Sequence, residues 1–201
     1  MDAAQLCLAR HGETDWNKHG ILQGWLDVPL NEKGRHQADE LAAGLAGSGL
    51  TAVWSSNLVR ARETADIIAL ALQLAAPLCH EGLKERHFGA LQGIPKSELA
   101  ELNPVLLAQI LRRNPAAEFV GGESMGEFSD RVLRACVEIG SRHRGERVLV
   151  ITHGWCLDVA LRHTGGFAPS AVLHAKPKNG DCVWVEVVNR VLMKKLTKPA
   201  M

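Results

Sequence analysis

Near its N-terminus the chain reads Leu8-Ala9-Arg10-His11-Gly12-Glu13-Thr14-Asp15-Trp16-Asn17. This stretch completes a short apolar run over residues 5–9, a pattern typical of a buried β-strand. Arg10, His11 and Gly12 therefore stand at a strand end, where open α/β sheets bind their ligands. An arginine can hold an anion, an imidazole can react beside it, and a glycine lets another backbone approach closely. We interpret the stretch as an anion-handling unit, with a plain polar strand exit as the alternative.

The composition of the chain excludes several classes of protein. It has 201 residues, of which 46% are hydrophobic and 22% charged, and its net charge is +1. This balance predicts a single globular domain over residues 1–201, and near-neutral charge argues against a nucleic-acid binder. The five cysteines are scattered and form no CxxC pair, which favours reduced thiols over a disulfide framework or a zinc site. The N-terminal residues do not resemble a secretory signal, and no apolar run is long enough to span a membrane, so we expect a cytoplasmic protein.

Strand-like and helix-like segments alternate along the chain. Short apolar runs predict strands at residues 51–55, 147–152 and 182–188, the last pairing with 191–196 across an Asn189-Arg190 turn. Helical periodicity predicts helices from a cap at Asn31 to residue 45, from 57 to about 74, at 95–112, at 123–143 and at 155–162. Residues 78–93 predict irregular chain. This alternation predicts an α/β sandwich.

Three of the predicted strands end on residues suited to phosphate chemistry. The first ends on Arg10 and His11, the second leads through Ser55 and Ser56 to Arg60, and a later one ends on His153. In a parallel sheet these ends lie side by side. A neutral imidazole can attack a phosphoryl group and carry it as a phosphohistidine, while neighbouring cations stabilise the charge on its oxygens. A single histidine at a strand end is more often structural, but two of them beside glycines favour catalysis without a metal.

The leaving group of such a reaction also needs a proton donor. The candidates are Glu85, Glu81 and Glu13. Their spacing along the chain does not decide between them.

Four blocks of sequence resemble the histidine phosphatase superfamily, in the branch that contains cofactor-dependent phosphoglycerate mutases and small phosphatases. The blocks, which run in family order from Leu8 to about Gly180, are Arg10-His11-Gly12-Glu13-Thr14, Ser55-Ser56 with Arg60-Ala61, Gly121-Gly122-Glu123-Ser124, and Thr152-His153-Gly154. The resemblance implies a three-layer α/β/α sandwich on a mostly parallel sheet.

The resemblance also implies roles for individual residues. His11 would be the phosphorylated nucleophile, Glu85 the proton donor, and Arg10, Arg60 and His153 would hold the phosphoryl oxygens. The substrate-binding residues would further include Asn17, Gln23, Gly24 and Gly154. Glu123 would be structural and cap the helix that begins there. Three tryptophans, Trp25, Trp155 and Trp184, are expected in the core.

The acceptor of the phosphoryl group distinguishes a phosphatase from a mutase. Residues 85–93 are close to the mutase pattern, and Lys96 follows at about the right distance. The pair Arg112-Arg113 resembles a basic pair that binds the substrate carboxylate in mutases, with a solvated helix C-terminus as the alternative. The chain is nevertheless shorter than typical mutases and lacks their insertion before Gly121, as the small phosphatases do. We therefore interpret residues 85–87 as a general rim of the active site.

We expect a metal-independent phosphomonoester hydrolase that needs no cofactor and acts on a small phosphorylated metabolite, such as a phosphoglycerate derivative or ribazole phosphate. A mutase dependent on 2,3-bisphosphoglycerate is the alternative, and a non-catalytic binding module of the same fold is a third reading. We expect neither nucleic acid nor membrane as a partner, and a homodimer is left open.

Overall fold

The computed structural model describes residues 2–168, 170–173 and 177–194. The strands are β1 (Ala4–Arg10), β2 (Leu50–Ser55), β3 (Leu78–Cys79), β4 (Arg147–Thr152), β5 (Cys182–Val188) and β6 (Val191–Lys194). The α-helices are α1 (Asp15–Lys18), α2 (Glu32–Leu45), α3 (Val59–Ala71), α4 (Lys96–Leu102), α5 (Pro104–Leu111), α6 (Met125–Arg142) and α7 (Gly154–Thr164). Two single 3-10 turns, Glu81–Leu83 and Gly89–Leu91, interrupt the irregular chain between β3 and α4.

The six strands form one sheet in the order β3-β2-β4-β1-β5-β6. The four strands from β3 to β1 are parallel, whereas β5 and β6 pair antiparallel at one side. In the register of the three central strands, Arg10 lies opposite Thr152 and Ser55 lies opposite Ile151. The carboxyl ends of β1, β2 and β4 therefore lie side by side, as the sequence predicts.

Side chains that alternate along the central strands build a separate core on each face of the sheet. Leu6 and Leu8 of β1 pack in the cluster that α6 and α7 cover, while Cys7 and Ala9 pack in the cluster that α2 and α3 cover. Because successive residues of a strand point to opposite faces, a continuous apolar run requires cover on both sides. The predicted three-layer α/β/α sandwich on a mostly parallel sheet is confirmed.

The largest difference from the predicted elements concerns residues 95–112. The sequence predicts one helix there, but the structure has two, α4 and α5, which meet at Asn103. The side chain of Asn103 accepts a hydrogen bond from Leu106 N and caps α5. Pro104 at the first position of α5 disfavours helical backbone at the residue before it, so α4 ends there.

Other differences are confined to the ends of elements. The predicted loop at 12–30 contains the short helix α1, whose Thr14 and Asn17 form a capping box. The structure confirms β6 as far as Lys194, and residues 195–196 of the predicted strand lie outside the described residues. Within the described part of the chain, no helix is both long enough and apolar enough to cross a membrane.

Candidate active site

His11 lies directly after β1, and its side chain is buried. Its Nδ1 lies 2.6 Å from the carbonyl oxygen of Gly12, and Arg60 donates a hydrogen bond from Nε to its Nε2 at 3.3 Å. A carbonyl can only accept, so Nδ1 carries the ring proton and Nε2 presents a lone pair. Burial, followed by the charges of Arg60 and Arg10, holds the pKa of His11 well below its ordinary value. His11 is therefore a neutral imidazole, which is the state a nucleophile requires.

The backbone around His11 is held from two sides. A Cβ atom at Gly12 would overlap the carbonyl group of Gly34 in the first turn of α2. Gly12 therefore allows the backbone of α2 to approach the loop that carries His11. Gly12 N donates to Thr64 Oγ1 at 3.1 Å, and Asn179 Nδ2 donates to the carbonyl oxygen of His11 at 2.8 Å. The position of the nucleophile thus depends on α2, α3 and the chain before β5.

Arg60 lies in the first turn of α3, where a positive charge opposes the helix dipole. Its guanidinium donates to the carbonyl oxygens of Gly24 at 2.8 Å and Leu26 at 3.0 Å. Asp27 offsets the unfavourable charge, because its carboxylate accepts from Val59 N at 2.9 Å and opposes the lowering of the Arg60 pKa. Burial nevertheless lowers that pKa to about 10, so Arg60 is a cation at neutral pH.

Hydrogen-bonding capacity is left unused beside the nucleophile. His153 follows β4, is fully buried, and its ring centroid lies 5.1 Å from that of His11. Burial and the charge of Arg60 lower its pKa well below the ordinary value. Neither ring nitrogen of His153, nor Nε of Arg10, has a hydrogen-bond partner among the described residues. These buried groups can bind the oxygens of a phosphoryl group on His11.

Glu85 is a buried carboxylate that lines the same cavity as His11. Its Oε1 accepts from Arg86 N at 2.9 Å, and its Oε2 lies 3.5 Å from Trp155 N in the first turn of α7. Burial raises the pKa of Glu85 even though arginines nearby act to lower it. A raised pKa keeps the proton on a carboxyl group to higher pH, which favours its action as a general acid.

The two competing carboxylates lie elsewhere. Glu81 pairs with Lys84 at 2.8 Å, and Glu13 pairs with Lys33 at 2.8 Å. Neither of them lines the cavity that contains His11, whereas Glu85 does. Of the three candidates, the structure places only Glu85, the one that the resemblance implies, in the cavity with His11.

The cavity over His11 has a volume of about 230 Å³. It brings together most of the residues that the resemblance implies, namely Arg10, His11, Asn17, Gln23, Gly24, Arg60, Glu85, Lys96, Arg113 and Gly154. His153 lies buried against the ring of His11 and does not line the cavity. A second group of lining residues is apolar: Ile21, Leu22, Phe88, Ile110, Leu111 and Trp155.

A second cationic region lies in the same cavity. Arg113 has a positive φ of 50°, and its NH1 donates to Asp158 at 2.9 Å and to the carbonyl oxygen of Gly154 at 3.0 Å. Burial, together with the charges of Arg10 and Arg113, lowers the pKa of Lys96. Repulsion among these cations is relieved when an anion binds, so the cavity favours a ligand with negative charge beyond its phosphate.

Three expectations from the sequence are wrong. Arg86 is fully buried and donates to the carbonyl oxygens of Ala117 and Glu123, so it does not form part of a rim. The cap of α6 is Ser124, with Glu127 in a capping box, and not Glu123. Trp25 is 37% exposed and lies against His87, so it is not a core residue.

Sequence reasoning also missed residues that act through their neighbours. Asp27 accepts a hydrogen bond from the first residue of α3, and Asp158 accepts one from Arg113. Asn179 donates to the backbone carbonyl of His11. Single polar residues in loops carry no periodic signal. An Asn-Gly pair at 179–180, just before a predicted strand, is the one local pattern that marks a turn at this place.

Comparison with known proteins identifies the family. A family model described as the histidine phosphatase superfamily (branch 1) matches residues 6–193. The chain is 39% identical over 156 residues to phosphoglycerate mutase-like protein 4 of Arabidopsis thaliana, covering 77% of this chain and 68% of that protein. It is 38% identical over 177 residues to the metal-independent phosphoserine phosphatase of Arabidopsis thaliana, covering 87% of this chain and 74% of that protein.

Solved structures agree with this family. The structure of Bacillus stearothermophilus YhfR superposes with a TM-score of 0.85 at 30% identity, covering 95% of each chain. The chain therefore belongs to the histidine phosphatase superfamily, and the enzymes to which it is similar are phosphatases and phosphoglycerate mutases.

Proposed function

We propose that the protein hydrolyses small phosphomonoesters through a phosphohistidine on His11, without a metal. One arrangement carries this proposal: the lone pair of His11 Nε2 and the carboxyl group of Glu85 face one cavity, between cations and unpartnered donors. That the protein is cytoplasmic stays a prediction from the sequence.

The reaction has two steps. In the first, the Nε2 lone pair of His11 leaves its hydrogen bond with Arg60 and forms a bond to phosphorus while the ester P–O bond breaks, and Glu85 gives its proton to the departing alkoxide. In the second, the Glu85 carboxylate takes a proton from water as the water oxygen attacks phosphorus and the P–N bond breaks. Inorganic phosphate leaves, and both side chains return to their starting states. Arg10, Arg60 and His153 stabilise the phosphoryl oxygens in both steps.

The residues that line the cavity also favour one class of substrate. Lys96 and Arg113 lie in the wall with Arg10, so a carboxylate on the leaving group would meet positive charge. The apolar residues Phe88, Ile110 and Leu111 line the same cavity, and its volume of about 230 Å³ suits a small substrate. We therefore favour phosphorylated small carboxylic acids. The similarity to a phosphoserine phosphatase supports this choice.

A phosphoglycerate mutase is the second candidate. The same cations, Lys96 and Arg113, would hold the carboxylate of a phosphoglycerate while its second hydroxyl accepts the phosphoryl group from His11. A mutase would need 2,3-bisphosphoglycerate to charge His11, and the similarity to a phosphoglycerate mutase-like protein supports this reading.

A paired assay on the purified protein tests both candidates. One arm measures phosphate release from phosphomonoesters with and without a carboxylate, in the presence and absence of EDTA. The other arm measures interconversion of 3- and 2-phosphoglycerate with and without 2,3-bisphosphoglycerate. We expect EDTA-resistant phosphate release, fastest from the carboxylate-bearing esters, and no interconversion. Interconversion that depends on the bisphosphate would make the protein a mutase, and loss of activity in EDTA would contradict the metal-free site.

Two variants test the nucleophile. His11→Ala should abolish phosphate release and acid-labile labelling of the protein by a radioactive substrate. His36→Ala, which removes an exposed histidine on α2, is the matched control and should retain both. Full activity in His11→Ala would exclude the proposed mechanism. A wild-type protein inactive on every ester would instead favour the third reading, a binding module.

A further inference from the structure

Glu85 stands on a segment that has no regular secondary structure to hold it. Residues 84–88 lie between two 3-10 turns, so their backbone carbonyls need partners from elsewhere. One side chain of α6 supplies several of these partners. Arg131 donates from NH1 to the carbonyl oxygens of Gly82 and Lys84, both at 3.0 Å, and from NH2 to that of Glu85 at 3.2 Å.

Glu123 holds the segment from the other side of Glu85. Its carboxylate accepts two hydrogen bonds from Arg131, from Nε at 2.8 Å and from NH2 at 2.7 Å. The same carboxylate accepts from His87 N at 2.8 Å. The pair thus contacts backbone groups both before and after Glu85, with bidentate geometry that fixes the orientation of both side chains.

We propose that the pair of Glu123 and Arg131 positions Glu85 for proton transfer, an inference that rests on the proposed function. Neither residue lines the cavity, so neither touches the substrate. The Glu85 carboxyl group is oriented by Arg86 N, which belongs to the held segment, and by Trp155 N, which belongs to α7. A shift of the segment relative to α7 therefore moves the proton donor away from the leaving oxygen.

A second contact shows how closely the segment is held. Trp25 donates from its indole Nε1 to the carbonyl oxygen of Glu85 at 2.7 Å, so that one oxygen accepts from both Trp25 and Arg131. The guanidinium of Arg131 also lies over the ring of Phe128, 5.1 Å from its centroid. These contacts leave the guanidinium a single position, in which its donors point at the segment.

The test compares two kinds of substrate. An alkyl phosphate needs a protonated leaving group, whereas p-nitrophenyl phosphate releases a stable phenolate and does not. We expect Arg131→Gln to lower kcat/KM, which reports formation of the phosphohistidine and not its hydrolysis, by about 10- to 100-fold for the alkyl ester and by less than about threefold for the aryl ester. Arg131→Lys should recover part of the loss. Arg134→Gln, which removes an exposed arginine from the same helix, should leave both rates unchanged.

Glu123→Gln is a second variant, which keeps an oxygen acceptor for His87 N but loses the ion pair. It should show the same preference for the aryl ester in a milder form. Thermal unfolding of each variant identifies any that fail to fold, and this milder variant then carries the test. An equal loss of kcat/KM on both esters in folded variants would overturn the positioning role.

A double-mutant cycle separates this inference from the proposed function. If Arg131 acts through Glu85, then adding Arg131→Gln to a Glu85→Gln background should cause no further loss of kcat/KM for the alkyl ester. A full further loss there would overturn the inference while leaving the mechanism intact. If Glu85→Gln alone lowered kcat/KM equally for both esters, the assignment of Glu85 as the general acid would fail instead.

Discussion

At the scale of single residues, burial sets the two protonation states that the chemistry requires. The same loss of solvent lowers the pKa of the His11 imidazole and raises the pKa of the Glu85 carboxyl group, because burial disfavours whichever form is charged. A neutral base and a protonated acid can therefore coexist in one cavity. Arg10 and Arg60 have pKa values lowered to about 10, so both keep their positive charge at neutral pH.

These shifts predict the pH dependence of kcat/KM for an alkyl phosphomonoester. Activity should fall on the acid side as His11 becomes protonated, with a midpoint below the ordinary histidine pKa. It should fall on the alkaline side as Glu85 loses its proton, with a midpoint above the ordinary glutamate pKa. With p-nitrophenyl phosphate the alkaline decline should weaken, since that leaving group needs no proton. An acid midpoint at or above the ordinary histidine pKa would contradict the neutral state of His11.

At the scale of elements, the site depends on how the first turns of three helices meet the strand ends. α2 contacts the nucleophile loop through Gly34, α3 carries Arg60, and α7 presents Trp155 N to Glu85. The contact at Gly34 is the tightest of these. A Cβ atom there would overlap the backbone of Glu13, two residues after His11.

Two glycines of α2 make a matched prediction. Gly34→Ala should lower the free energy of unfolding by about 1–3 kcal/mol, because the backbone of the His11 loop must move, and it should also lower kcat. Gly44→Ala meets no atom within 4 Å and should raise stability by about 0.5–1 kcal/mol through its better helix propensity. Urea unfolding and phosphate release measure both effects. Equal stabilisation by the two substitutions would show that the close approach at Gly34 does not exist.

At the scale of the whole molecule, the sheet joins two cores that do not touch each other. β4 lies between β2 and β1, and its Val148 and Val150 pack on one face while Leu149 and Ile151 pack on the other. The order of the strands matters for the site, because it places the residues after β1 and β4 next to one another.

Truncation at the centre and at the edge of the sheet should therefore differ. Leu149→Ala opens a cavity beneath α2 and α3 and should lower the free energy of unfolding by about 2–5 kcal/mol. Val191→Ala, on the exposed edge strand β6, should change it by less than about 0.5 kcal/mol. Urea unfolding monitored by tryptophan fluorescence measures both. Similar losses in the two variants would contradict the view that the stability of the fold is concentrated at the centre of the sheet.

Much of the fold could be predicted from local patterns. The apolar run at 147–152 predicts β4 to the residue, and the cap at Asn31 predicts the start of α2. The pattern over residues 95–112 predicts one helix because its apolar periodicity continues across Asn103 and Pro104, where the structure ends α4 and begins α5. Residues 78–93 have no period, so their course depends on distant partners such as Arg131.

The sequence by itself determined the parallel sheet, and it predicts His11 as the nucleophile with cations around it. Residues such as Arg10, His11 and His153 stand at strand ends, and strand ends are read from periodicity. Only the tertiary structure decided that Glu85 lines the same cavity as His11, that Arg86 is buried, and that Glu123 pairs with Arg131. The physical reason is that strands and helices follow from neighbours in the chain, whereas loops take their conformation from hydrogen bonds to groups far away in sequence.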